Sequence, residues 1–150
     1  MFEVNINGKD YRSESDMVLM DFLREELRIT SVKNGCKEGA CGTCTVIIDG
    51  KTSRSCIPKL SKLAGKKILT IEGFSERERD VFAHAFAAAG AVQCGFCIPG
   101  QLMAAQALLG ENPSPTIPEV QEGLAGNLCR CGCYQQITEA VLAAADAGER

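Results

Sequence analysis

The sequence predicts an α+β protein in two parts, a strand-bearing domain over residues 1–75 and an all-α domain over residues 76–150. Short alternating or β-branched runs, separated by Asn-Gly and Asp-Gly pairs, fill the first part. Alanine-rich stretches with helical spacing fill the second. Eight of the nine cysteines also fall into two four-cysteine sets, one in each part.

Residues 2–6 (FEVNI) alternate, Asn7-Gly8 supplies a two-residue hairpin turn, and residues 9–12 return as a second strand. Leu19, Phe22, Leu23 and Leu27 recur at helical spacing, with Ser15 or Asp16 available as the cap. Residues 31–44 carry glycines at 35, 39 and 42 and read as an irregular loop. Thr45–Ile48 is a strand, Asp49-Gly50 a second hairpin turn, and Ile68–Ile71 a last short strand. After Gly73, residues 76–91 form an alanine-rich helix and residues 100–109 a second one behind Pro99. Asn112-Pro113-Ser114-Pro115 is a linker. Thr116, Pro118 and Glu119 then supply cap, N-terminal proline and capping box for a third helix. Residues 134–147 form the fourth, with Ile137, Val141, Leu142 and Ala145 on one side.

The first cysteine set is Cys36-x4-Cys41-x2-Cys44, closed by Cys56 after eleven further residues. That is the spacing of plant-type [2Fe–2S] sites. Such a core takes two thiolates on each iron, and Gly35, Gly39 and Gly42 are expected to take positive φ and let backbone N–H groups approach the sulfurs. A four-cysteine zinc site more often uses two short knuckles, whereas here three ligands crowd one loop. The second set pairs Cys94-x2-Cys97 with Cys129-x-Cys131. On spacing alone it fits a zinc knuckle pair or an iron–sulfur site. Each pair precedes a predicted helix, whose free N–H groups and positive dipole end suit an anionic cluster. His84 is the only histidine and lies in mid-helix, which excludes a two-histidine Rieske centre.

A net charge of −3 argues against a nucleic-acid partner. The N-terminal residues lack the basic and apolar regions of a secretory signal, and no apolar run reaches transmembrane length. Nine cysteines without a signal are expected as reduced thiolates in the cytoplasm. No flavin or nicotinamide phosphate loop and no acid–base constellation is visible, so the sequence by itself suggests electron transfer rather than catalysis. A free-standing ferredoxin and a zinc-stabilised interaction protein are the competing readings; the helical half counts against the former.

Residues 32–46 (VKNGCKEGACGTCTV), 90–100 (GAVQCGFCIPG), 112–116 (NPSPT) and 126–131 (GNLCRC) together resemble four ordered motifs of the small iron–sulfur subunit of molybdenum hydroxylases, the xanthine dehydrogenase and carbon monoxide dehydrogenase family. The resemblance spans nearly the whole chain. It implies a β-grasp first domain, a four-helix second domain and two [2Fe–2S] clusters, on Cys36, Cys41, Cys44 and Cys56 and on Cys94, Cys97, Cys129 and Cys131. It implies a large partner subunit carrying molybdenum-pterin and a medium one carrying FAD, with the helical-domain cluster nearer molybdenum. Gln93 matches the family glutamine that lies against the pterin; its plainer reading is a helix-end polar group. The Cys41–Cys44 loop is expected to face the flavin subunit or another acceptor, and one face of residues 90–101 and 127–134 the molybdenum subunit. Cys129 and Cys131, from one tight turn, are expected on one iron.

The chain departs from the family pattern at Asp80–Ala83, at Ile98 and at Cys133. Cys133 leaves open an exchange with Cys131 and is otherwise expected as a small buried thiol near the cluster. The Cys131-Gly132-Cys133-Tyr134 variant leans toward xanthine or related N-heterocycles as substrates of the complex.

Overall fold

The computed structural model describes residues 1–148. Five strands, β1 (Phe2–Ile6), β2 (Lys9–Ser13), β3 (Thr45–Ile48), β4 (Lys51–Arg54) and β5 (Lys67–Leu69), form one sheet in the order β2-β1-β5-β3-β4. Only the β1–β5 pairing is parallel. This is the β-grasp arrangement. Both hairpin turns form as read: Asn7 and Gly8, then Asp49 and Gly50, all take positive φ, as a type I′ turn requires.

Three local expectations need correction. The helix after β2 is a single α-turn, α1 (Leu19–Asp21), that widens into a π-helical turn over Phe22–Glu26. Neither Ser15 nor Asp16 caps it. Val18 occupies that position with no side-chain bond, and the Asp16 carboxylate instead accepts from the Ser61 N–H at 2.8 Å. The last strand ends at Leu69 rather than Ile71. There the Asn7 side-chain Oδ1 accepts the Thr70 N–H (2.8 Å), and the chain turns into a 3-10 segment, Ile71–Gly73.

Four helices follow, α2 (Glu76–Ala88), α3 (Ile98–Glu111), α4 (Ile117–Gly123) and α5 (Tyr134–Asp146). Ser75 caps α2, and α4 carries the full reciprocal box between Thr116 and Glu119. The helices close over Phe82, Phe86, Met103, Leu109, Val120, Ile137 and Val141, all buried. The first part has its own core of Val4, Ile6, Leu19, Phe22, Leu23, Val46, Leu60 and Ile68.

The two cores meet across the sheet. Val46 belongs to the first core, while Ile47, its neighbour on the opposite face, belongs to the helical one together with Phe74. The strand Thr45–Ile48, apolar from Val46 onward, is therefore covered on both faces, with α3 laid against it.

Candidate iron–sulfur sites

The loop of residues 30–44 wraps its sulfurs with backbone donors. The N–H groups of Glu38, Ala40 and Cys41 each lie 3.4 Å from Cys36 Sγ, and that of Thr43 lies 3.5 Å from Cys41 Sγ. Gly39 and Gly42 take the positive φ expected of them; Gly35 does not, and serves space instead. A Cβ at residue 35 would stand 2.7 Å from both Cys41 Sγ and Thr43 Oγ1. Cys56 arrives two residues after β4 and is buried beside Cys44.

The second set is built at helix N-termini. Cys97 occupies the N-cap position of α3 and Cys133 that of α5. Phe96 N–H points at Cys94 Sγ (3.5 Å) and Cys133 N–H at Cys129 Sγ (3.4 Å). The Cys129 N–H is taken by the Tyr134 hydroxyl at 2.8 Å. Cys97 and Cys129 are buried, whereas Cys94 and Cys131 are exposed.

These surroundings split the thiols electrostatically. Cys36 is drawn down to about 7, chiefly by the N–H groups of Cys41, Glu38 and Ala40. Burial, then the adjoining Cys44 thiol, pushes Cys56 up to about 11; burial, then Cys129, pushes Cys97 up to about 12. Burial also raises Cys129, but the N–H of Cys133 and the Cys97 thiol outweigh it, so its net shift is downward. Cys133 is raised, first by burial and then by its neighbour Cys129.

Among the described residues no three histidine, cysteine or acidic side chains are grouped as a single metal ion would need. Thiols approach one another instead, Cys36 with Cys41, Cys44 with Cys56, Cys97 with Cys129, and Cys129 also with Cys133. Paired thiols surrounded by N–H donors fit a two-iron, two-sulfide core, which needs two thiolates per metal and donors to its sulfurs. The contact between Cys97 and Cys129 crosses the two loops of the second set.

The two sets face one cleft of about 550 Å³, lined by Gly35, Cys41 and Thr43 on one side and Cys94, Cys97 and Cys129 on the other. Its two walls are bonded to each other. The Leu128 N–H donates to the Cys41 carbonyl at 2.9 Å, and Arg54 Nη2 to the Gly126 carbonyl at 2.6 Å. The Asn127 amide, oriented by its neighbours, donates to the carbonyls of Gly42 (3.0 Å) and Gly100 (3.3 Å). Gly42, Thr43 and Cys44 are thus buried at the domain junction rather than turned outward. The loop turns Asn34, Gly35, Lys37, Glu38 and Ala40 outward, with Ile57 exposed beside Gly39. Gln93 is exposed and directs its amide at the Cys133 thiol, which is 2% exposed. Sequence reasoning missed the Arg54 clasp, which carries no metal-ligand signal and whose partner Gly126 lies 72 residues away.

Residues 4–81 match a family model described as a 2Fe-2S iron-sulfur cluster binding domain, and residues 70–142 match one described as a [2Fe-2S] binding domain. The chain is thus an iron–sulfur protein with two [2Fe–2S]-binding domains. It is 44% identical to the nicotine 6-hydroxylase small subunit of Paenarthrobacter nicotinovorans, over 93% of this chain and 86% of that one. Quinoline 2-oxidoreductase from Pseudomonas putida 86 superposes with a TM-score of 0.89 at 42% identity, covering 97% of this chain and 93% of that one. The aldehyde oxidoreductase of Desulfovibrio gigas gives the same TM-score at 36% identity, but this chain spans only 17% of it. The chain belongs to the small [2Fe–2S] subunits of the molybdenum hydroxylases, oxidoreductases that include xanthine and nicotinate dehydrogenases. Among the described residues no helix is long and apolar enough to cross a membrane.

Proposed function

We propose that the chain relays electrons from the molybdenum-pterin site of a large subunit, through two [2Fe–2S] clusters, to FAD on a medium subunit or to another acceptor. The observation that carries this reading is the single cleft lined by cysteines of both sets. When bound, a [2Fe–2S] cluster supplies one-electron transfer. In this reading the chain divides at residue 75, with Cys36, Cys41, Cys44 and Cys56 holding the first cluster and Cys94, Cys97, Cys129 and Cys131 the second. The thiol contacts favour Cys36 with Cys41 on one iron and Cys44 with Cys56 on the next. They likewise favour Cys97 with Cys129; taking Cys133, which also meets Cys129, as the spare thiol leaves Cys94 and Cys131 together.

The outer side of the helical set supports a docked large subunit. Phe96, Leu128 and Tyr134 are each roughly half exposed (46–54%) and line the cleft beside the exposed Cys94. Apolar surface gathered there would be costly to leave in water. Gln93 stands on this surface and is assigned to contact the pterin. The acceptor is placed at Lys37–Ala40 and Ile57, the outward part of the first loop, instead of at Cys41–Cys44. Two relatives named for nicotine and quinoline support an N-heterocyclic substrate, bound in the large subunit. Reduced thiolates in both sets suit the cytoplasm.

The test is reconstitution. Alone, the chain should take electrons from an artificial reductant and turn over no substrate. Adding the large subunit should restore substrate-driven bleaching of both clusters. Substrate turnover by the isolated chain would overturn the proposal.

A further inference from the structure

Thr43 is 5% exposed and lies on the cleft wall shared by the two sets. Its Oγ1 is 3.1 Å from Cys41 Sγ and 3.2 Å from the Lys33 carbonyl oxygen, and its own N–H faces the same sulfur at 3.5 Å. Gly35 closes over the pair so tightly that a Cβ there would reach both atoms at 2.7 Å.

A threonine hydroxyl has one proton to give. Between two free groups either Cys41 or Thr43 could be the donor. A sulfur bound to iron is a thiolate with no proton, so the hydroxyl must then donate. The charged sulfur competes for that proton better than the neutral Lys33 carbonyl does. Adding an electron places further negative charge on the core and its thiolates, and an O–H dipole aimed at one of them favours the reduced state.

We propose that Thr43 is a positioning residue of the first-domain cluster, its hydroxyl donating to Cys41 Sγ and raising that centre's reduction potential. The proposal rests on Cys41 being a cluster ligand.

The experiment is an EPR-monitored potentiometric titration of the full, cluster-loaded chain, with the helical-domain signal as the internal reference. In Thr43→Val the first-domain midpoint should fall while the helical midpoint stays in place. Thr43→Ser, which keeps the hydroxyl, should titrate as wild type. An unmoved midpoint in Thr43→Val would overturn the proposal, as would an equal fall in Thr43→Ser or an equal shift of both signals. If Thr43→Val fails to assemble the first cluster, Thr43→Ala carries the comparison. Loss of the cluster in both, with retention in Thr43→Ser, would also overturn it, because the hydroxyl would then serve assembly. Cys41→Ser, in the same titration, separates the two readings. If it leaves the first-domain signal unchanged, the ligand assignment itself fails, whatever Thr43 does.

Discussion

Replacing Gly42 by alanine should loosen the junction between the two domains. Gly42 has φ +83°, where an L residue costs roughly 1–2 kcal/mol. The new Cβ would also stand 2.5 Å from the Gly126 carbonyl oxygen and 2.9 Å from Asn127 Cα, backbone atoms that cannot swing aside. Overpacking of that kind adds roughly 1–3 kcal/mol. The sum, about 2–5 kcal/mol, corresponds to a loss of roughly 5–15 °C in Tm for a chain of this size. Gly50→Ala is the matched control: its φ is +84°, but nothing lies within 4 Å of the added carbon. It should show the conformational cost alone. Both variants would be melted cluster-loaded, by circular dichroism at one scan rate, since unfolding with cluster loss is irreversible. Equal losses of Tm in the two variants would refute the claim that the Cys41–Thr43 loop is seated on the helical domain.

Cys56→Ser should perturb the first-domain EPR signal and spare the helical one, and Cys97→Ser should do the reverse. Loss of both signals from either change, in otherwise folded protein, would show that the sets are not independent. Cys133→Ala should retain both clusters, because Cys133 is a buried neighbour of Cys129 and not one of the assigned ligands. Loss of the helical-domain signal there, but not in Cys131→Ala, would reverse the assignment. The cluster-free chain should show a pH signature at Cys36, whose folded-state pKa is lowered to about 7 by the N–H groups of Cys41, Glu38 and Ala40. The sign follows: folding favours its thiolate, so its stabilising contribution is present above the ordinary thiol pKa and disappears as pH falls through about 7. Its alkylation should be half-maximal near that pH, while Cys97, pushed up to about 12 by burial, stays unreactive there.

Much of this fold was legible because its signals are local. Asn7-Gly8 and Asp49-Gly50 specify type I′ turns through their positive φ, and Thr116 through Glu119 specify a helix start through a reciprocal cap. Both cysteine sets could be found from spacing alone. What the sequence hid depends on groups distant along the chain. Asp16 looked like a helix cap until Ser61, 45 residues away, supplied a competing N–H. The strand expected to reach Ile71 is cut short by Asn7, 63 residues earlier. Ile47 and Val46 read as one apolar run, and only the packing of α3 reveals that they serve different cores. The site was hidden in the same way. Cys41 and Cys129 look like members of separate halves, yet a hydrogen bond from Leu128 to Cys41 brings their loops together. The approach of the Cys97 and Cys129 thiols likewise depends on how two loops distant in sequence meet at the starts of α3 and α5, which spacing does not encode.

This one chain should hold two [2Fe–2S] clusters, one in each domain. Iron and acid-labile sulfide analysis of the purified chain, with EPR of the dithionite-reduced form, tests it most directly. The expected result is about four irons and four sulfides per chain, with two distinguishable signals. Stoichiometric zinc in a colourless protein, or a single signal, would contradict it.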